Sequence, residues 1–195
     1  SSVPDKPFST GWGGRVADLV DAMNTNSSVS MAISLNGQNS FQVGKKVVQF
    51  AVNPGGAISL SGSSTSATSA AGLRTRAQND LLAGPNSNLF EAAFAGLTSN
   101  AISDSAMLSS ILSGNPPFTT TFSGTNLGQQ LRTIARLIAA APQLGVKRQI
   151  FFARIGGWDL HDAQLGPHSN LFADVSRNVS ALHRTMVEIG AADQV

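Results

Sequence analysis

The side chains best suited to chemistry lie in one stretch of this sequence, residues 148–168. Asp159 and His161 come just after an apolar segment that ends in the glycine pair Gly156 and Gly157. Carboxylate oxygens and neutral imidazole nitrogens are standard ligands of zinc and similar divalent ions. In an extended segment, residues two apart point to the same side, so both groups can face one ion. The spacing indicates part of a metal site. The alternative is a surface loop in which the aspartate caps the next turn and the histidine is solvated.

Three residues near this pair extend the hypothesis. Asp162 either binds a second ion or is a solvated loop residue. His168 either caps the following helix or supports the metal ligands without binding the ion itself. Arg154 either neutralises an anionic substrate or pairs with a buried carboxylate. The sequence contains no phosphate-binding loop, dinucleotide fingerprint or nucleophile elbow, so no residue is singled out as a nucleophile.

The composition describes a globular domain with few charges. Of the 195 residues, 42% are hydrophobic and 12% are charged, and the net charge is +2. No basic cluster exceeds the pair Lys45 and Lys46, so we expect no nucleic-acid partner and no binding to an anionic membrane surface. No apolar run is long enough for a membrane span. The absence of cysteine excludes a disulfide scaffold and thiol chemistry.

Hydrophobic periodicity predicts an α/β fold with a mostly parallel sheet. Residues 1–60 contain a short helix and several alternating segments around the turn Asn36–Gly37, which together predict a small antiparallel strand patch. Residues 61–71 are almost all Ser, Thr, Ala and Gly and predict a flexible loop. Residues 72–142 are predicted to be helical. The strand candidates of the patch are 29–35, 41–43, 46–52 and 57–60.

Residues 148–195 predict a strand, the candidate site loop and a long helix. The strand, 149–155, is apolar almost throughout, which is typical of a strand buried on both faces of a parallel sheet. Ligands of open α/β sheets bind beyond the carboxyl ends of the strands, where Asp159 and His161 lie.

Three helices carry apolar stripes that predict their buried faces. For the helix at 89–112 the stripe is Phe90, Phe94, Leu97, Ala101, Leu108 and Ile111; for 126–141 it is Leu131, Ile134, Leu137 and Ile138; for the last helix it is Phe172, Val175, Val179, Leu182, Met186 and Ile189.

Several segments also match the pattern of a known family. The most specific is the glycine, glycine, aromatic, aspartate, any residue, histidine motif at 156–161, and further matches lie at 9–18, 30–36, 88–91, 127–131, 135–138, 148–152 and 192–195. Together they resemble DUF1501, a bacterial family of exported proteins within the alkaline phosphatase and sulfatase superfamily. The resemblance runs through most of the chain and is weakest at 61–71. The family usually has threonine where this chain has Leu160, a difference that keeps both ligands but removes a hydroxyl beside them.

The resemblance implies a fold, a cofactor and a chemistry. The fold would be part of an alkaline phosphatase-like three-layer α/β structure. Members of the superfamily use two divalent ions and a hydroxyl nucleophile to cleave phosphate or sulfate esters. By this resemblance Asp159 and His161 are ligands of one ion, which is zinc, manganese, magnesium or calcium. It also implies a periplasmic or extracellular location.

The family pattern includes further segments, upstream and downstream, that this sequence lacks. We therefore expect residues 1–195 to be a single incomplete α/β domain, inactive as a fragment, whose partners are the remaining segments of the same protein and an ester substrate. The alternative is a non-catalytic secreted or cell-surface binding or structural protein that keeps the fold.

Overall fold

The structure, a computed structural model, describes residues 9–24, 29–55 and 62–195. The chain divides into two compact units, one comprising Ser1–Gly56 with Ile111–Val195 and the other Ala57–Ser110. Its helices and strands confirm the α/β class. In chain order they are α1 (Trp12–Val20), β1 (Ala32–Ser34), β2 (Phe50–Ala51), α2 (Ala70–Ala83), α3 (Leu89–Ser113), α4 (Asn126–Ala139), α5 (Ala141–Leu144), β3 (Ile150–Phe152) and α6 (Leu165–Glu188), with 3-10 turns at Asp21–Met23 and Ala192–Gln194.

The three strands form a parallel sheet in the order β2-β1-β3, in the first unit. Ile33 of β1 lies opposite Phe50 of β2 on one side and Phe151 of β3 on the other. All three residues of β1 are buried, as a central strand covered on both faces requires. The small residues Ala32 and Ser34 alternate with Ile33 and are buried too, so they face packed protein and not solvent.

The predicted antiparallel patch is wrong for the described strands, because β1 and β2 are parallel. Gly37 does form a turn, with a φ of 65°. Beyond it, however, the chain enters a loop instead of a returning strand. The buried side chain of Gln42 pins this loop by donating to the carbonyls of Ile33 and Ile150, at 3.1 and 2.9 Å. The strand candidate at 57–60 lies outside the described residues.

Helix α1 binds the end of the same loop, just before β2. The carboxylate of Asp18 accepts hydrogen bonds from the backbone N–H groups of Lys45, Lys46 and Val47, at 2.6, 2.9 and 2.8 Å. These bonds, that from Val47 foremost, lower the pKa of Asp18. Two neighbouring parallel strands need a long connection between them. Here Asp18 fixes the end of that connection.

Strand β3 differs from its prediction in length and burial. It spans three residues, each half-buried, whereas the sequence predicted a strand over 149–155 buried on both faces. Within the described residues, β3 pairs only with β1 and is therefore an edge of the sheet. Apolar composition alone did not distinguish an edge strand from a central one.

Helix α4 confirms its predicted stripe. Leu131, Ile134 and Leu137 are buried and Ile138 is half-buried. Thr125 is the N-cap of this helix, and its hydroxyl accepts a hydrogen bond from the N–H of Gly128 at 3.2 Å.

Helix α6 confirms its predicted stripe only in part. Met186 is buried, and Leu182 and Ile189 pack against the same core cluster, but the earlier part of the stripe is turned outward. Phe172 and Val179 are 64% and 52% exposed, while Asn178 and Thr185 are fully buried. The reason is a polar network: Asn178 accepts from the backbone N–H of Ser123 at 3.0 Å, and its amide donates to Asp174 at 2.7 Å. Satisfying these buried polar groups decides which side of the helix faces inward.

The unit Ala57–Ser110 contains α2 and most of α3. Residues 62–69 form a loop, as predicted, although Ala70 and Ala71 already belong to α2. The predicted apolar stripe of α3 is buried only in part: Leu108 is fully buried, but Phe90, Phe94 and Leu97 are 87%, 69% and 65% exposed. Periodicity identifies the apolar face of a helix, but it does not show that a partner covers that face.

Glu188, at the end of α6, clamps the loop that precedes α4. Its two carboxylate oxygens accept hydrogen bonds from both the backbone N–H and the hydroxyl of Thr119 and of Thr120. The backbone bond from Thr119 is the largest cause of a pKa lowered from 4.5 to about 2, because every bond favours the charged carboxylate.

This clamp predicts an acid-sensitive contribution to stability. Because the folded pKa of Glu188, about 2, lies below the unfolded value of 4.5, the stabilisation is complete above pH 4.5 and is lost as the pH falls through about 2. We expect Glu188→Gln to flatten the thermal stability profile across that window. The chain's other glutamate, Glu91, provides the control, and Glu91→Gln should preserve the slope. Equal slopes for wild type and Glu188→Gln would contradict the assignment.

Candidate metal centre

The loop that carries the candidate ligands is held at its start by Gln130 of α4. The side-chain oxygen of Gln130 accepts from the Arg154 backbone N–H, and its amide donates to the Arg154 carbonyl, both at 2.9 Å. Gln130 is fully buried. A single side chain therefore pairs with the backbone just beyond β3 in the way a neighbouring strand would.

The loop then turns at Gly157 and packs against α6. Gly157 has a φ of 88°, a conformation that glycine adopts without strain. The ring of Trp158 packs on Phe172 at 4.9 Å and on His168 at 5.9 Å between ring centroids. His168 Nε2 also lies 3.0 Å from the Trp158 carbonyl oxygen. Because a carbonyl only accepts, His168 donates this bond, and its Nε2 carries a proton.

Asp159 and His161 lie side by side beyond this anchored turn. His161 Nε2 is 3.9 Å from an Asp159 carboxylate oxygen, and the two side chains are 92% and 98% exposed. Both side chains are exposed to solvent and are therefore not packed against the rest of the protein. The structure thus places the two predicted ligands beside each other in the loop that follows β3.

The other predicted site residues take different positions. His168 is half-buried and bonds to the backbone carbonyl immediately before Asp159. It lies within α6 and not at its N-cap, which is Gln164. Asp162 and Arg154 are exposed. Among residues 9–24, 29–55 and 62–195, no ion pair engages Arg154, and no group of three or more His, Cys, Asp or Glu side chains is placed to hold a metal.

Sequence reasoning missed Gln130 and the ring contacts of Trp158. Gln130 directly precedes Leu131, on the inward side of an amphipathic helix, and a polar residue at such a position signals a buried hydrogen-bonding role. Trp158 was part of the motif, but its partner Phe172 was assigned to the core. The rings meet because α6 presents Phe172 toward the loop.

The two ligands fit one corner of a divalent site. Two ligand atoms about 2.0–2.2 Å from one tetrahedral zinc ion lie roughly 3.3–3.6 Å apart. The observed 3.9 Å pair would need only a small side-chain rotation to reach that separation. Their exposure permits that rotation. One carboxylate and one imidazole leave the remaining coordination positions to water, substrate or other segments.

No family model, curated protein or solved structure matches this chain. Within the described part of the chain, none of the helices combines the length and apolar character that crossing a bilayer requires.

Proposed function

We propose that this chain is part of an exported, metal-dependent hydrolase-like protein that acts on phosphate or sulfate esters. The observation that carries the proposal is the 3.9 Å pair of Asp159 and His161, placed by an anchored glycine turn in the loop that follows the parallel strand β3. Ligands of α/β proteins bind beyond the carboxyl ends of such strands, and the two side chains have the chemistry of metal ligands.

The finer features of the proposal rest on the family resemblance of the sequence. They are an alkaline phosphatase-like three-layer fold, a second ion, a hydroxyl nucleophile and the remaining ligands from other segments of the same protein, and a periplasmic or extracellular location. The ester-cleaving chemistry belongs to that whole protein.

In this proposal the residues of this chain bind a divalent ion and orient the loop that carries its ligands. Asp159 and His161 would hold a divalent ion, which when bound polarises an ester and activates a hydroxyl. His168 fixes the backbone carbonyl of Trp158, and Gln130 fixes Arg154. These two positioning residues restrict where the loop can place its ligands, which lowers the cost of ordering the site on binding.

Metal content of the full-length protein tests the proposal. We expect one or two bound divalent ions in the wild type. We expect Asp159→Ala and His161→Ala each to reduce metal affinity by at least the roughly 10–100-fold that even a supporting residue contributes. Asp80→Asn, which removes a charge from an exposed aspartate of α2, is the control and should retain the ion.

Two results would separate this proposal from its alternative. A wild-type protein without metal, in which Asp159→Ala leaves ester hydrolysis unchanged, would contradict it and favour a non-catalytic binding protein. Equal loss of metal in Asp159→Ala and Asp80→Asn would show that general negative charge, and not this pair, attracts the ion.

A further inference from the structure

A cleft lies in the same compact unit as the candidate metal centre, beside α4. Its volume is about 510 Å³, within the usual size range of small-molecule sites. One wall is formed by α4, with Arg132, Thr133 and Arg136, and the other by the loop 118–124 and Pro54. Thr133 ties these walls together by donating to the Pro54 carbonyl at 2.8 Å.

Part of the lining of the cleft follows a strand of the sheet. Pro54 follows β2 at the carboxyl end of that strand. The candidate metal centre lies in the loop that follows β3, a strand running in the same direction. Ligands of open α/β sheets bind beyond the carboxyl ends of such strands.

The charge of the cleft is positive. Arg132 and Arg136 are four residues apart on one helix, where like charges repel, and no acidic residue lines the cleft. In the part of the chain that the structure describes, neither guanidinium forms an ion pair. Burial first, and then the charge of Arg132, lowers the pKa of Arg136, an effect that a bound anion would offset.

Arg136 is held in place with donors to spare. Its Nη2 donates to the carbonyls of Ile111 and Gly114, at 3.1 and 2.6 Å. A guanidinium has five N–H donors, so these two bonds position the group and leave others for a ligand. Arg132 is exposed, and no hydrogen bond joins its guanidinium to another described residue.

Two acidic side chains bond to the loop wall without lining the cleft, and both already accept hydrogen bonds. Asp174 accepts from the hydroxyls of Ser123 and Thr125. The hydroxyls of Thr119 and Thr120 donate to Glu188, whose carboxylate accepts four hydrogen bonds. Glu188 does not line the cleft. Arg132 and Arg136 are therefore the charged hydrogen-bond donors that the cleft offers to a ligand.

We propose that this cleft binds a tetrahedral oxyanion, a phosphate or sulfate group, through Arg132 and Arg136. The planar fork of arginine matches the paired oxygens of such groups. The volume exceeds one oxyanion, so the group is the anionic end of a larger small molecule. The proposal does not rest on the metal centre, since the cleft uses none of the metal-site residues.

Titration of the full-length protein with inorganic phosphate and with sulfate, by calorimetry at low ionic strength in the presence of a chelator, tests this site. The chelator removes any ion that would bind phosphate by itself, so this test and the metal test can fail separately. We expect saturable binding, weakened about tenfold or more by Arg132→Gln, because a charged hydrogen bond is lost. Arg132→Lys, which keeps the charge without the fork, should fall in between.

Arg177→Gln is the matched control, since Arg177 is an exposed arginine on α6 outside the cleft. It should bind phosphate like the wild type. The proposal is overturned if the wild type binds neither anion, or if Arg132→Gln and Arg177→Gln weaken binding equally. Acetate is the planar comparison, and an affinity for acetate equal to that for phosphate would overturn the assignment to a tetrahedral group.

Discussion

Gln130→Leu is expected to lower the free energy of unfolding by about 2–4 kcal/mol. Leucine has a similar size, so the substitution changes hydrogen bonding far more than packing. It removes both bonds to Arg154, each at 2.9 Å, and leaves a backbone donor and acceptor without partners beside a buried helix face. Denaturant unfolding measures the loss, and hydrogen exchange at the Arg154 amide locates it.

The neighbouring residue provides a control for this effect. Gln129 is exposed, and its side chain makes one longer bond, to the Gly124 carbonyl at 3.3 Å. Gln129→Leu should therefore change the free energy of unfolding by less than about 0.5 kcal/mol. If the two substitutions cost the same, Gln130 does not act as the side-chain partner of the strand end.

Gly14→Ala is expected to destabilise the first unit by about 3 kcal/mol or more. A Cβ at this position would lie 2.1 Å from both the carbonyl carbon and the oxygen of Val43. The obstacle is backbone, so no side-chain rotation relieves it. Either α1 or the loop at 41–44 must shift, and the Asp18 bonds to Lys45–Val47 would be strained with it. For a domain of this size the expected fall in melting temperature is roughly 6–12 °C.

Gly96→Ala is the matched control because it makes the same chemical change in another helix. A Cβ at Gly96 in α3 meets no heavy atom within 4 Å. Since alanine favours helix more than glycine does, Gly96→Ala should stabilise α3 by about 0.5–1 kcal/mol. A Gly14→Ala protein as stable as wild type would mean that α1 does not depend on this close approach.

The helices were largely predictable because their signals are local. The apolar stripe of α4, for example, was enough to locate that helix and its buried face. Gly13 and Gly14 do not follow the rule that glycines usually indicate a loop. Here both lie inside α1, buried against Phe41 and Val43, where the absence of a side chain permits contact.

The residue types of the candidate site were predictable, but the contacts that hold its loop in place were not. Asp159 and His161 were visible in the sequence because their types and spacing are those of ligands. Their separation and their exposure were not, since both depend on how the Gly157 turn packs against α6. The roles of Gln130 and His168 arise from residues 24 and 10 positions away, respectively, from the atoms that they contact.

The sequence by itself determined the α/β class, the positions of the long helices and the residue types available for metal binding. Those features follow from local periodicity, turn chemistry and side-chain chemistry. Only the tertiary structure decided that β1 and β2 are parallel, that β3 is an edge strand and that α6 turns Asn178 inward. The physical reason is that buried polar groups must find partners, and for Gln42, Gln130 and Asn178 those partners are distant in sequence.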